Sequence, residues 1–209
     1  MKNSFNELRR LIDYIQSMYR NITSEWLQSS GTSINLRRAM IANVDIDGEI
    51  YKNIMDYVRF LNRQSADIAL DLSNACNCKV SARVKAQNSI EYKIQNYKTE
   101  RHEFGRVPVN KCFNDLFGIR IILKDFLIYD EINSFIEDQY GNKYKCIDSS
   151  KLDYKATHLY FKENNQSFPW ELQIWNSCDE SNNLASHRLY KQGYTIWEEE
   201  SKKGGIIND

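Results

Sequence analysis

The spacing of the hydrophobic residues changes once along the chain, near residue 79, and this change constrains the fold more than any other feature. Before it, apolar residues recur every three or four positions over residues 8–26 and 50–61, a spacing typical of amphipathic helices. After it, residues 80–85 alternate between apolar and polar, as in a strand with one buried face. Helices followed by interleaved strands and helices predict an α+β fold, a mixed β-sheet flanked by helices.

The same patterns predict the remaining elements and the domain organisation. Helices are predicted over residues 89–97, 129–139 and 182–197, with a short helix near 36–42. Strands are predicted over residues 118–123, 144–147, 156–162 and 170–176, and a charged loop over 99–110. We therefore expect a helical N-terminal region (1–78) packed on the main domain (79–197), followed by a flexible tail (198–209).

Composition excludes several classes of protein. Eight glycines and two prolines are too few for a collagen-like or Pro-rich chain, or for a sandwich of many tight hairpins. The 28 basic and 28 acidic residues cancel, so attraction to nucleic acid or membrane must be local. Apolar runs fall far short of the ~20 residues that cross a bilayer. The first ten residues are charged and do not resemble a signal peptide. The five cysteines are scattered, which indicates reduced thiols. Cys76 and Cys78 are too close together for the usual spacing of zinc ligands. A cytoplasmic protein is expected.

Positive charge is concentrated in one segment. Residues 79–124 contain ten basic and only four acidic side chains. Arg83 and Lys85 share one face of the predicted strand, and Lys93 lies one helical turn beyond Ser89. A strand that brings cations and a helix N-terminus to one point can bind a polyphosphate. For each residue alone, a solvated surface position is the simpler interpretation.

Two carboxylates accompany these cations. Asp115 precedes the strand at 118–123, on which Arg120 alternates away from the core, and Glu171 shares a strand face with Gln173. One or two carboxylates beside a phosphate site commonly hold Mg²⁺. A turn residue and an exposed strand acid are the simpler alternatives.

Aromatic and imidazole groups form a third set. Tyr154 lies at a strand entrance, where its ring can stack on a base at roughly 1–3 kcal/mol. His158 shares its strand face with Tyr160 and can bind near a phosphate or sugar. A packed aromatic residue and a structural histidine are the alternatives.

Taken in order, these motifs resemble the RelA/SpoT synthetase domain, especially that of the small alarmone synthetases. Residues 83–93 resemble the family's R-x-K-x-x-x-S-x-x-x-K segment, and residues 115–120 resemble its D-I-x-G-x-R strand. Residues 153–158 resemble G-Y-R-S-x-H, and residues 171–174 resemble E-x-Q-I-R. His187 falls where the family has a histidine before a terminal Tyr-Lys.

The resemblance implies a nucleotidyltransferase-like fold that moves the β,γ-pyrophosphate of ATP to a ribose 3′-hydroxyl. It implies the following roles: Arg83 and Arg120 sandwich adenine; Lys85, Ser89 and Lys93 bind the phosphates; Asp115 binds Mg²⁺; Glu171 binds the metal or accepts the proton of the hydroxyl; and Tyr154, Lys155, His158 and Gln173 bind the acceptor.

The acceptor motifs depart from the family. Lys155 and Trp175 replace arginines, and Asp153 replaces a glycine. The expected acceptor is GDP or GTP, giving ppGpp or pppGpp. The alternatives are a toxic relative that modifies the tRNA 3′ CCA end or an adenosine nucleotide and has an antitoxin partner, and a non-catalytic nucleotide-binding module. The family's C-terminal tetramer helices are not recognisable after His187, so a monomer or a different homo-oligomer is expected.

Overall fold

Five strands form one mixed sheet in the computed structural model, which describes residues 2–189. The strands are β1 (Lys79–Val84), β2 (Phe117–Leu123), β3 (Lys145–Asp148), β4 (Thr157–Phe161) and β5 (Trp170–Asn176). Their order in the sheet is β1-β2-β5-β4-β3. β2 and β5 run parallel, and the other neighbouring pairs run antiparallel. The expected α+β class with a mixed sheet is confirmed.

Helices lie before, between and after these strands along the chain. They are α1 (Lys2–Ser30), α2 (Glu49–Ala75), α3 (Gln87–Tyr97), α4 (Val109–Cys112), α5 (Tyr129–Tyr140) and α6, which covers residues 180–189. Short 3-10 segments cover Ile41–Asn43, Glu100–Gly105, Gly141–Lys143 and Ser177–Asp179. Within residues 2–189, no helix is both long and apolar enough to span a membrane.

One face of the sheet and the N-terminal helices share a continuous hydrophobic core. The apolar stripe of α1 is buried, as the three- and four-residue spacing predicts. In the same core, Trp170 of β5 donates its indole N–H to the Tyr57 hydroxyl of α2 at 2.8 Å. The Tyr19 ring of α1 packs on Trp170 with centroids 5.4 Å apart. The N-terminal helices therefore support the central strand directly. The proposed division at residue 78 stays a prediction.

Several elements differ from the sequence-based expectations. α2 continues to Ala75 because Ile68 and Leu72 extend its buried stripe. The prediction of a helix near 36–42 is wrong, because residues 36–38 form a turn and Ile41–Asn43 form a short 3-10 helix. In this segment the Ile41 amide donates to the Val107 carbonyl at 3.0 Å, which is a long-range backbone bond. The expected loop at 99–110 contains a 3-10 segment and the start of α4. The helix expected over 182–197 begins at residue 180, and its part after 189, like the tail at 198–209, lies outside the described residues.

Candidate functional site

The second face of the sheet is polar, and strand register arranges its side chains in two rows. Residues paired across neighbouring strands project to the same face. The first row contains Arg83, Gly118, Glu171 and Tyr160 on β1, β2, β5 and β4. The second row contains Ser81, Arg120, Gln173 and His158 on the same four strands. The central strand β5 is buried along most of its length, so its two polar side chains are held rigidly.

Gly118 forms the floor between the two charged groups of the first row. A Cβ atom added there would lie 3.7 Å from Arg83 Nε and 3.8 Å from Glu171 Oε2. The guanidinium and the carboxylate therefore both border the position where another residue would carry its Cβ atom. A ligand atom at this position would contact both groups.

Asp115 lies beside this row, held by two lysines. Its carboxylate accepts from Lys85 Nζ at 2.6 Å and from Lys93 Nζ at 3.1 Å, and the side chains are 16%, 10% and 21% exposed respectively. Burial alone would raise the pKa of Asp115, but the charges of Lys93 and Lys85 outweigh burial and lower it well below its usual range. This cluster therefore joins one ionised acid to two protonated amines, with a net positive charge.

Glu171 is the second buried carboxylate, with 5% of the residue exposed. His158 Nδ1 and the Tyr160 hydroxyl both lie 3.0 Å from Oε1, and Gln173 Nε2 donates to Oε2 at 2.7 Å. Burial acts to raise the pKa of Glu171, as does the nearby charge of Asp115, but the His158 and Gln173 contacts lower it overall. Glu171 is therefore ionised at neutral pH.

Asp115 and Glu171 are the two acids that could bind a divalent cation at this face. Their ligand atoms are carboxylate oxygens, which Mg²⁺ prefers, and the Cβ position of Gly118 lies 3.8 Å from Glu171 Oε2. In the part of the chain described, no group of three or more His, Cys, Asp or Glu residues could hold a metal by itself. A Mg²⁺ ion held by these two acids would take its remaining ligands from substrate phosphates and water.

Arg120 is held in the second row by three neighbours. Its guanidinium carbon lies 3.7 Å from the Trp175 ring centroid, its Nη2 lies 3.1 Å from His187 Nε2, and Nε and Nη2 donate to Gln173 Oε1 at 3.2 and 3.1 Å. Burial and the positive charges of Arg120 and Arg83 lower the pKa of His187 to about 4. The imidazole is therefore neutral at neutral pH and tolerates the adjacent arginines.

Tyr154 packs beside Trp175, His158 and His187 at the second row of the polar face. Its hydroxyl lies 3.0 Å from His158 Nε2 and accepts from Trp175 Nε1 at 3.3 Å. Its ring meets those of Trp175 and His187 edge to face, with centroids 5.9 and 5.3 Å apart. Burial raises the pKa of Tyr154 to about 12, so the hydroxyl stays protonated.

The polar face gathers most, but not all, of the expected site residues. It gathers Arg83, Lys85, Lys93, Asp115, Arg120, Tyr154, His158, Glu171 and Gln173. Ser89 is half-buried in the first turn of α3. Lys155 is exposed and lines a separate cavity with Thr157 and Ile174, which face away from His158 and Gln173. The sequence analysis missed Tyr160 as a partner of Glu171, although its alternation with His158 was the available signal.

A polar sheet face that carries two buried or mostly buried acids and clustered cations is typical of enzymes that bind nucleotide phosphates. A family model described as "Region found in RelA / SpoT proteins" matches residues 82–195, more than half of the chain. The chain belongs to the RelA/SpoT family. At the level of the family, membership supports a transferase of the alarmone-synthetase type.

The solved structures similar to this chain include two small alarmone synthetases of Bacillus subtilis. Small alarmone synthetase 1 has 17% identity and a TM-score of 0.41, covering 73% of this chain and 97% of that chain. The same protein bound to AMPCPP has 16% identity and a TM-score of 0.34, with coverages of 74% and 99%. Small alarmone synthetase 2 has 19% identity and a TM-score of 0.39, with coverages of 76% and 94%. No curated protein sequence matches significantly. The family assignment therefore rests on the sequence match.

Proposed function

We propose that this protein is an ATP-dependent pyrophosphokinase that transfers the β,γ-pyrophosphate of ATP to the 3′-hydroxyl of GDP or GTP. The products are ppGpp or pppGpp, together with AMP. The observation that carries the proposal is the convergence of Lys85, Lys93 and Asp115 beside the Arg83–Gly118–Glu171 row. Transfer of this kind depends on charge neutralisation and positioning more than on covalent chemistry, and this convergence offers both.

The donor ATP would bind on the β1 and β2 side. Lys85 and Lys93 would exchange part of their contact with Asp115 for the triphosphate, which carries more negative charge than one carboxylate. Arg83 and Arg120 would stack on the two faces of adenine, because guanidinium groups stack well on aromatic rings. Burial and the charge of Arg83 lower the pKa of Arg120, so a ring placed between the two groups would also separate like charges.

Asp115 and Glu171 would hold Mg²⁺ together with the phosphates. When bound, the ion would neutralise charge that develops on the transferred group. The lowered pKa values of both acids support this role, because both carboxylates are ionised at neutral pH. Neither acid needs to lose a proton before it binds a cation.

The acceptor would bind on the β4 and β5 side. Tyr154 would stack on its base, and His158 and Gln173 would contact its sugar and phosphates. The proton of the 3′-hydroxyl would pass to Glu171 while the hydroxyl oxygen bonds to the β-phosphorus of ATP. The bond from that phosphorus to the α–β bridging oxygen breaks, and AMP leaves with the oxygen.

One observation favours a different acceptor as the second candidate. Lys155, the position of a family arginine in the acceptor motif, lies at a separate cavity rather than on the polar face. An acceptor such as the terminal nucleotide of tRNA, which carries a single 5′-phosphate, would suit this difference. The tRNA 3′ CCA end or an adenosine nucleotide would then be pyrophosphorylated, and an antitoxin partner would be expected.

The test is product analysis with ATP labelled in its β- and γ-phosphates. The purified chain and Mg²⁺ are incubated in parallel with GDP, GTP, ATP and bulk tRNA. We expect AMP and a labelled guanosine tetra- or pentaphosphate, and loss of both in Glu171→Gln. The matched control is Glu137→Gln, an exposed acid on α5, which should retain activity. Label in tRNA or an adenosine nucleotide would favour the second candidate, and nucleotide binding without turnover would contradict both.

A further inference from the structure

Two cysteines meet at the junction between the N-terminal helices and the sheet. Cys76 follows the last residue of α2, and Cys78 immediately precedes β1. The two Sγ atoms lie 3.0 Å apart, and both residues are half-buried. A disulfide bond is about 2 Å long, so the sulfurs need to approach by only about 1 Å to bond.

The residue between them holds this arrangement. The Asn77 amide donates to Glu7 Oε1 of α1 at 2.9 Å, which fixes the middle of the Cys-Asn-Cys turn. The Cys76 thiol approaches the Cys78 carbonyl oxygen at 3.5 Å, so both sulfurs lie on the same side of the backbone. Paired, accessible thiols in reducing compartments are more often redox-sensing or transiently oxidised than structural.

We propose that Cys76 and Cys78 form a redox-active dithiol that closes reversibly to an intramolecular disulfide when it meets a low-molecular-weight disulfide. The Cys76 thiolate attacks the external disulfide, forms a mixed disulfide and releases one thiolate. Cys78 then displaces the second external thiolate and forms the Cys76–Cys78 bond. The protein loses two electrons and two protons, and the external disulfide becomes two thiols.

The order of these two steps follows from the surroundings of Cys78. Burial raises the pKa of the Cys78 thiol, and the adjacent Cys76 sulfur raises it further. Cys78 is therefore assigned as the thiol that reacts second. Once Cys76 carries the mixed disulfide, the second sulfur is already in contact and the closing step is intramolecular.

The other cysteines serve as internal controls. Cys178 is exposed, Cys146 is half-buried and Cys112 is buried. Within residues 2–189, Cys76 and Cys78 are the only two cysteines whose sulfur atoms are in contact. Trypsin separates the sets, because the peptide 64–79 contains Cys76 and Cys78 and the peptide 163–188 contains Cys178. One digest therefore reports on the pair and on an isolated exposed thiol.

The experiment treats the intact chain with glutathione disulfide, alkylates it with N-ethylmaleimide and measures tryptic peptides by mass spectrometry. Peptide 64–79 should lose two hydrogen atoms and carry neither glutathione nor maleimide, whereas Cys178 should carry one glutathione. Dithiothreitol should restore two alkylatable thiols in peptide 64–79. In Cys76→Ser and in Cys78→Ser, the remaining cysteine should carry glutathione or stay alkylatable, with no loss of hydrogen.

Two results would overturn the proposal. The first is a peptide 64–79 that still takes two maleimide groups, or carries two glutathiones, at a concentration that fully modifies Cys178. The second is a disulfide that joins peptide 64–79 to peptide 163–188 instead of closing within the pair. The Cys178→Ser variant distinguishes these cases, because intramolecular closure should persist in it unchanged.

Discussion

The guanidinium of Arg120 lies over the indole ring of Trp175, 3.7 Å from the ring centroid to Cζ. The ring covers one side of the guanidinium, while His187 and Gln173 bond to its edge. Trp175 therefore fixes the orientation of Arg120, and it does so at a position where the family has an arginine.

This contact predicts that Trp175 affects ATP binding through Arg120. Trp175→Leu removes the aromatic face, and a part-buried cation–π contact of ~1–2 kcal/mol corresponds to a rise of about tenfold in KM for ATP. Trp175→Phe retains a ring and should stay near the wild-type value. Steady-state kinetics with ATP varied at saturating acceptor would measure both. Equal KM values in the two variants would show that the ring does not position Arg120.

Tyr154 is predicted to contribute its ring rather than its hydroxyl to acceptor binding. Tyr154→Ala should raise KM for the guanine nucleotide about tenfold or more, because stacking on a base contributes ~1–3 kcal/mol. Tyr154→Phe loses only the contacts to His158 and Trp175, and KM should change by about threefold at most. A Phe variant as impaired as the Ala variant would assign the role to the hydroxyl.

Asp115 is predicted to stabilise the fold as well as to bind ligand. Asp115→Asn leaves Lys85 and Lys93 without their carboxylate in a mostly buried cluster, and should lower the free energy of unfolding by about 2–3 kcal/mol. The control is Lys79→Gln, which breaks the exposed ion pair with Glu180 and should cost less than about 1 kcal/mol. Urea denaturation would compare them, and similar losses would contradict the cluster's structural role.

Gly105 is predicted to be essential for packing of the 3-10 segment. Its φ is +82°, and an added Cβ would lie 2.6 Å from the Ala42 backbone nitrogen. Gly105→Ala should therefore cost about 3 kcal/mol or more, which combines a left-handed backbone with overpacking. Gly31→Ala is the matched control, because φ is +60° and nothing lies within 4 Å, so only about 1–2 kcal/mol is expected. Thermal unfolding that ranks the two variants equally would refute the clash.

His187 is predicted to make stability depend on pH. Burial and the adjacent Arg120 and Arg83 lower its pKa from 6.5 to about 4 in the folded chain. Below 6.5 the unfolded chain binds a proton that the folded chain does not, so stability should fall as the pH drops from 6.5 towards 4. His187→Gln should lack this part of the decline. Melting temperatures measured over that pH range would reveal it, and parallel curves for the two proteins would argue against it.

The alternation of apolar and polar residues predicted the strands and the faces of their side chains. It did not predict which strands pair or in which register. The β-branched and alternating runs predicted β5 over its whole length, and they placed Glu171 and Gln173 on one face. Which residues meet across strands depends on tertiary register. The position of Gly118 between Arg83 and Glu171 therefore emerges only from the folded sheet.

The irregular segment before β4 explains why Lys155 does not lie on the polar face with His158. Leu152 has a φ of +52°, and a bridge joins Lys151 to Tyr154. The side-chain alternation of β4 does not extend through such a turn, so the spacing between Lys155 and His158 does not predict a shared face. The Asn183 side chain of α6 then holds the backbone of Lys155, because its Oδ1 accepts from the Lys155 amide and its Nδ2 donates to the Lys155 carbonyl.

The order of the strands divides the polar face into two halves that come from separate segments of the chain. Residues 83–120 supply the half built on β1 and β2, and residues 154–187 supply the half built on β4, β5 and α6. Glu171 stands on the seam between them. Under the proposed function, substitutions confined to the later segment would therefore change the recipient molecule while the lysines that grip the triphosphate stay as they are.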